Sequence, residues 1–160
     1  MRAGVVLLLI AALGGGCATR QAIDQRTTQG PTAESFWLQR VVLETGRTPT
    51  FEERRHWEDS IDARIGEYLR RNHERANALD VSTFRFLRQV AVGMDREQVR
   101  ILLGPPLTTT TDQGAIQQLA RRYWPQIQSS VTEAWEYPLG WRMFFAGTRL
   151  IDITQYRSSS

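Results

Sequence analysis

The sequence predicts an α+β domain: two short helices packed on a three-stranded antiparallel sheet, preceded by an N-terminal helical hairpin. Three observations carry that reading. Residues 32–78 place apolar side chains at three- and four-residue spacing, the period of an amphipathic helix. Residues 93–106 spell a short helix whose start and stop are both specified. Residues 131–156 hold three adjacent runs of period-two alternation separated by two short turns, the pattern of an antiparallel meander.

The hairpin comes first, over residues 32–79. Phe36, Trp37, Leu38, Val41 and Val42 form the stripe of a helix over residues 32–45, with Gly46 as its stop. Thr50 and Glu53 make a capping box behind Pro49. The helix they open carries Trp57, Ile61, Ile65, Tyr68, Leu69 and Ala76 on one stripe and is predicted to end near Ala78. Asp80, Val81 and Ser82 then open a helix over residues 83–91, with Phe84, Leu87 and Ala91 on one face and Gly93 behind it.

The stretch 93–106 is the most informative. Asp95 is a good N-cap, and Gln98 stands three residues on, where its side chain can reach back to the cap's N–H. Met94 and Val99 occupy the positions of a hydrophobic staple. Val99, Leu102 and Leu103 give the buried stripe. Gly104 supplies a left-handed stop, and Pro105 and Pro106 forbid continuation.

The strands follow. Val131, Glu133, Trp135 and Tyr137 alternate with Thr132, Ala134 and Glu136, and Pro138, Leu139 and Gly140 turn the chain. Trp141, Met143 and Phe145 alternate with Arg142, Phe144 and Ala146, and Gly147 and Thr148 turn it again. In the last run, Ile151 and Ile153 face away from Leu150 and Asp152. One sheet face is expected to pack on the helix 95–103. The connection 107–130 is long: a threonine run at 108–111, then a helix with Ile116, Leu119, Tyr123 and Ile127 that Pro125 kinks or ends. It reads as an insertion at about 108–130 in a domain spanning 80–157.

The run Gly93, Met94, Asp95, Gln98, Val99, Leu102, Leu103, Gly104 and Pro106 resembles the signature of the SmpA/OmlA family, the BamE-like outer-membrane lipoproteins. Asp95 stands where that family usually has Thr or Ser. The resemblance covers roughly residues 81–156. It implies two helices followed by a three-stranded antiparallel sheet, the unit repeated in beta-lactamase inhibitory protein. Residues 32–78 and the long connection have no counterpart in the minimal unit.

The first segment gives an address. Arg2 precedes an uninterrupted apolar run over residues 5–13, then Gly14, Gly15, Gly16 and Cys17. A basic start, a short apolar run and small residues describe a signal peptide over 1–16, too short for a permanent membrane span. The only Cys sits where a bacterial lipoprotein signal places its lipidated residue. Cleavage near Ala18 is the other reading of the same residues. Ala18 behind the Cys, rather than Asp, resembles the outer-membrane sorting pattern. Residues 17–31 are polar and aperiodic and read as a tether.

Composition narrows the chemistry. All 20 basic residues are Arg, so no Schiff-base lysine and no phosphate-loop lysine exist. One Cys excludes an intramolecular disulfide and a Cys-based zinc site. His56 and His73 do not share a helix face, and no metal or cofactor is expected. Removing residues 1–16 takes away only Arg2 and leaves the chain near neutral, which disfavours nucleic acid. There is no glycine-rich phosphate loop, no HExxH and no recognisable Ser-His-Asp context. Glu133 and Glu136 fall on opposite strand faces, a poor acid/base pair.

The expectation is therefore a non-catalytic binding or scaffold module, lipid-anchored at Cys17 to the periplasmic face of the outer membrane of a Gram-negative bacterium. Its partner would be a periplasmic or outer-membrane protein, in outer-membrane protein assembly if the resemblance extends that far. Trp141, Arg142, Phe144 and Arg149, on the sheet face away from the helices and at its turns, are the candidate contacts. Two alternatives stay open: an envelope-integrity or stress lipoprotein without an assembly-machine partner, which the hairpin favours, and an inhibitor-like module on a periplasmic enzyme.

Overall fold

The computed structural model describes residues 22–75 and 79–159. The expected signal segment 1–16, Cys17 and the first residues of the expected tether lie outside the described residues, as does the expected helix end at 76–78.

The class is α+β. In chain order the elements are β1 (Ile23–Thr27), β2 (Gln29–Thr32), α1 (Ala33–Thr45), α2 (Phe51–Arg71), α3 (Leu79–Ser82) with a π-helical turn Thr83–Leu87 behind it, β3 (Gln89–Ala91), α4 (Arg96–Leu103), β4 (Thr108–Thr110), α5 (Gln113–Ala120), α6 (Trp124–Ile127), β5 (Glu133–Glu136), β6 (Trp141–Ala146) and β7 (Arg149–Arg157). The main sheet is antiparallel, in the order β1-β7-β6-β5-β4, and β2 pairs with β3 separately.

The expected meander is present as β5, β6 and β7, but the sheet has five strands, not three. Both additions come from segments too polar or too short to show a period. Ile23–Thr27 is an edge strand on β7, not tether: Gln25 Nε2 donates to Gln155 Oε1 at 3.0 Å, and Arg26 pairs with Asp152. Thr108–Thr110 is the opposite edge, where the Thr108 hydroxyl donates to Glu136 at 2.9 Å.

α1 ends and α2 begins as predicted. Thr32 caps α1, the Thr50–Glu53 capping box is formed, and Gly46 terminates α1. α2 stops at Arg71, short of Ala78, because Asn72 turns its side-chain amide onto the Tyr68 carbonyl at 2.9 Å. The expected helix over 83–91 is likewise cut short. Arg88 adopts φ 47° and Gln89–Ala91 becomes a strand, with Val90 buried where Gly30 leaves room for it. Leu87, expected on the buried face, is exposed.

The hairpin is part of the core. Trp37 and Trp57 stack at 4.9 Å, and Phe36, Ile61, Ile65 and Tyr68 pack with α4 and with Trp135, Met143, Phe145 and Ile153 on one sheet face. The other face carries a second core of Ala134 and Phe144 under Ile116, Ala120 and Ile127. The long connection is thus a lid over the second sheet face. A bulge in β7 sets the last strand's alternation: Phe144 faces Asp152 while Phe145 faces Leu150. Leu150 and Ile153 therefore share the main core, and Ile151 goes to the second, against the simple alternation expected.

Candidate partner-binding surface

The motif stretch forms a structural hub. Asp95 Oδ1 accepts from the Gln98 amide at 2.8 Å, and Gln98 Oε1 accepts from the Asp95 amide at 2.9 Å. The second Asp95 oxygen accepts the Tyr68 hydroxyl of α2 at 2.6 Å. Met94 and Val99, the staple pair, are both fully buried, as are Leu102 and Leu103. The motif also holds the β6–β7 turn: the Gly93 amide donates to the Leu150 carbonyl, the Leu150 amide to the Met94 carbonyl, and Arg149 Nη1 to the Gly93 carbonyl at 2.7 Å. At its far end Gly104 takes φ 78°, and its carbonyl accepts the Tyr137 hydroxyl at 3.0 Å. Burial pushes the Tyr137 hydroxyl pKa well above its usual range. Pro106 follows in the loop to β4.

The four side chains proposed from sequence do not form one surface. Phe144 is core: it is fully buried beneath α5 and α6, so it contacts no partner. Trp141 lies on the opposite sheet face, partly buried against the main core. Arg142 is mostly buried on the second face, where its guanidinium lies 5.7 Å from the Tyr156 ring and 3.6 Å from Glu136, with Nε and Nη1 making no hydrogen bond. Only Arg149 stays exposed, beside a shallow hollow of about 350 Å³ lined by Asp95, Arg96, Glu97, Thr148 and Arg149. A second hollow of about 360 Å³, lined by Arg26, Thr27, Thr28, Val92, Ile151 and Asp152, opens at the same end of the sheet.

Glu133 and Glu136 lie on opposite faces, as expected: Glu133 pairs with Arg96 and accepts the Trp135 indole N–H, whereas Glu136 sits beside Arg142.

Sequence reasoning missed Phe86 and Leu87. They are 71% and 59% exposed, side by side in the π turn, with the Arg85 guanidinium 5.1 Å from the Phe86 ring. The signal was the density of the run: Phe84, Phe86 and Leu87 cannot all reach one helix face. Among the described residues, no helix is long and apolar enough to cross a membrane, and no three His, Cys, Asp or Glu side chains are gathered as a metal site would need.

No family model matches the chain, and neither a curated protein nor a solved structure resembles it closely enough to count as a match.

Proposed function

We propose that the chain is a lipid-anchored, non-catalytic binding module on the periplasmic face of the outer membrane, built on a BamE-like core and engaging another envelope protein. The carrying observation is the adjacent exposed pair Phe86 and Leu87 beside Arg85. Single exposed apolar residues are ordinary. An aromatic and an aliphatic side chain held together in water next to an Arg have the make-up of an interface anchor. Burying each would gain roughly 2 kcal/mol. The surface stands on a rigid base, since Phe84 is fully buried and Arg88 is tied to Asp62 at 2.6 Å.

Two further features support the reading. The segment resembling the SmpA/OmlA signature is a capped helix, and an antiparallel meander follows it beyond the connection 107–130. The signal segment and Cys17 give the anchor.

The test is affinity capture from detergent-solubilised membranes, comparing the wild type with Phe86→Ser/Leu87→Ser. A captured envelope protein whose binding weakens by about 30-fold or more in the double variant supports the proposal, a loss typical of an anchor worth about 2 kcal/mol. Outer-membrane assembly components among the captured proteins would place the module there, and a hydrolase would point to the inhibitor-like alternative. Identical capture by both chains, or none, sinks the surface.

A further inference from the structure

One end of the main sheet gathers the N-terminus of β1, the start of β4, the β5–β6 turn and the end of β7. Apolar side chains crowd that end. Val42 and Leu43, near the end of α1, are 43% and 65% exposed and line a groove of about 260 Å³ with Leu38, Gln39 and Leu139. Leu107, one residue ahead of β4, is 68% exposed. Leu139 holds φ 66°, a left-handed conformation that a glycine would adopt without strain, yet the position carries a leucine whose side chain walls the groove. Gly140 behind it, at φ 77°, is pressed so close to the Tyr156 carbonyl that a Cβ would collide, which fixes the turn against β7.

The same end is where the chain enters the fold. Ile23 pairs with Arg157, and Trp141 pairs with Gln155 on the next strand over. Two strand spacings, roughly 10 Å, separate the start of β1 from the β5–β6 turn. Because β1 is a strand, only five Cα-to-Cα steps join Cys17 to Ala22. Covalent geometry limits that link to about 18 Å. A tether running to residue 31 would have allowed far more.

We infer that the apolar end formed by Val42, Leu43, Leu107 and Leu139 seats against the lipid bilayer that holds the acylated Cys17. The inference rests on the proposed acylation. The anchor forces this end, and no other, to within a short strand's length of the membrane surface. Leucines and valines there gain from entering the boundary between headgroups and acyl chains, and Arg157 beside Ile23 sits at the level of anionic headgroups. The Phe86–Leu87 surface stands away from the bilayer: Ala33, bonded through its amide to the Arg88 carbonyl, lies ten residues from Leu43 along α1, about 15 Å.

The experiment uses the full mature chain, purified with its native N-terminus and reconstituted into vesicles of phosphatidylethanolamine and phosphatidylglycerol. An acylated Cys17 leaves no free thiol, so Leu43→Cys or Thr148→Cys introduces a single site for an environment-sensitive fluorophore. The expected result is a blue-shifted emission at residue 43 that nitroxide-labelled lipid quenches, and neither effect at residue 148 in the opposite turn. Placing Leu107→Glu in the residue-43 chain should reduce the quenching with the fold, read by circular dichroism, unchanged. Emission typical of water at residue 43 in a chain whose acylation mass spectrometry confirms overturns the docking. Protection at residue 43 in native membranes but not in vesicles also overturns it, in favour of a protein cover. Absence of acyl mass overturns the anchor beneath it.

Discussion

Both carboxylate oxygens of Asp95 accept hydrogen bonds. One oxygen caps α4 through the Gln98 amide, and the other takes the Tyr68 hydroxyl across 27 residues of sequence. Losing the cap costs about 1 kcal/mol, and withdrawing the acceptor from a buried hydroxyl costs about 1–2 kcal/mol more. Asp95→Ala is therefore expected to destabilise the fold by about 2–3 kcal/mol, and Tyr68→Phe by about 1 kcal/mol. Urea unfolding of both variants and their double mutant checks this: the double should cost clearly less than the sum. Strict additivity would mean that the Tyr68 hydroxyl and the Asp95 carboxylate do not stabilise each other. The capping box was legible because the whole device spans three residues. The Tyr68 bond was not, since only packing of α2 on α4 brings the hydroxyl to Asp95. Phe144 was illegible for the same reason: its fate depends on whether residues 113–127 cover the second sheet face.

Ends written by a capping box or a glycine stop were mostly legible, but the helix expected over residues 83–91, with a start at 80–82 and Gly93 behind it, gave way to a π turn and β3. α2 and α4 open on the capping boxes expected, and Gly46 and Gly104 stand at the ends of α1 and α4 where glycine stops were expected. β1 and β4 carried no apolar period, because one face of an edge strand packs on little and the other meets water. The bulge at Ile151 is hidden for another reason: two-for-one pairing is a property of the partner strand. The start of α2 makes a testable statement about pH. Glu53 accepts from Arg47 at 2.6 and 2.8 Å and from the Thr50 amide at 2.7 Å, and these bonds hold its carboxyl down to about 2 from the ordinary 4.5. A depressed carboxylate contributes stability that is full above its unfolded value and disappears as pH falls through its folded value. The difference in urea midpoint between wild type and Glu53→Gln should thus be constant from neutral pH down to about 4.5 and close towards zero near pH 2. A difference that persists at pH 2 would show that the glutamine acts through something other than this charge.

At the scale of the whole molecule, β1 sets how far the domain would stand from the proposed anchor at Cys17. The strand is stitched to the sheet by Arg26, whose guanidinium donates to both Asp152 oxygens, at 2.7 Å from Nη2 and at 2.9 and 3.1 Å from Nε. Asp152 is buried on β7 and also accepts from the Ile153 amide at 3.0 Å. Removing one partner of a buried ion pair costs about 3–5 kcal/mol, but the Arg26 head is partly in water, so screening lowers the expectation to about 2 kcal/mol. The loss should fall first on the edge it serves. In Arg26→Ala, hydrogen exchange is expected to speed up at the β1 amides while β5 and β6 keep their protection. Uniform acceleration across the sheet would contradict a local stitch. Freeing β1 also lengthens the covalent link from five residues to about eleven, raising its reach to roughly 40 Å. On the proposed docking, the domain would then be able to lift its apolar end out of the lipid. In the vesicle experiment, Arg26→Ala should weaken nitroxide quenching at residue 43 although the acyl anchor is untouched. Undiminished quenching would mean that the apolar end holds the membrane by its own affinity, and that the short link only delivers it there.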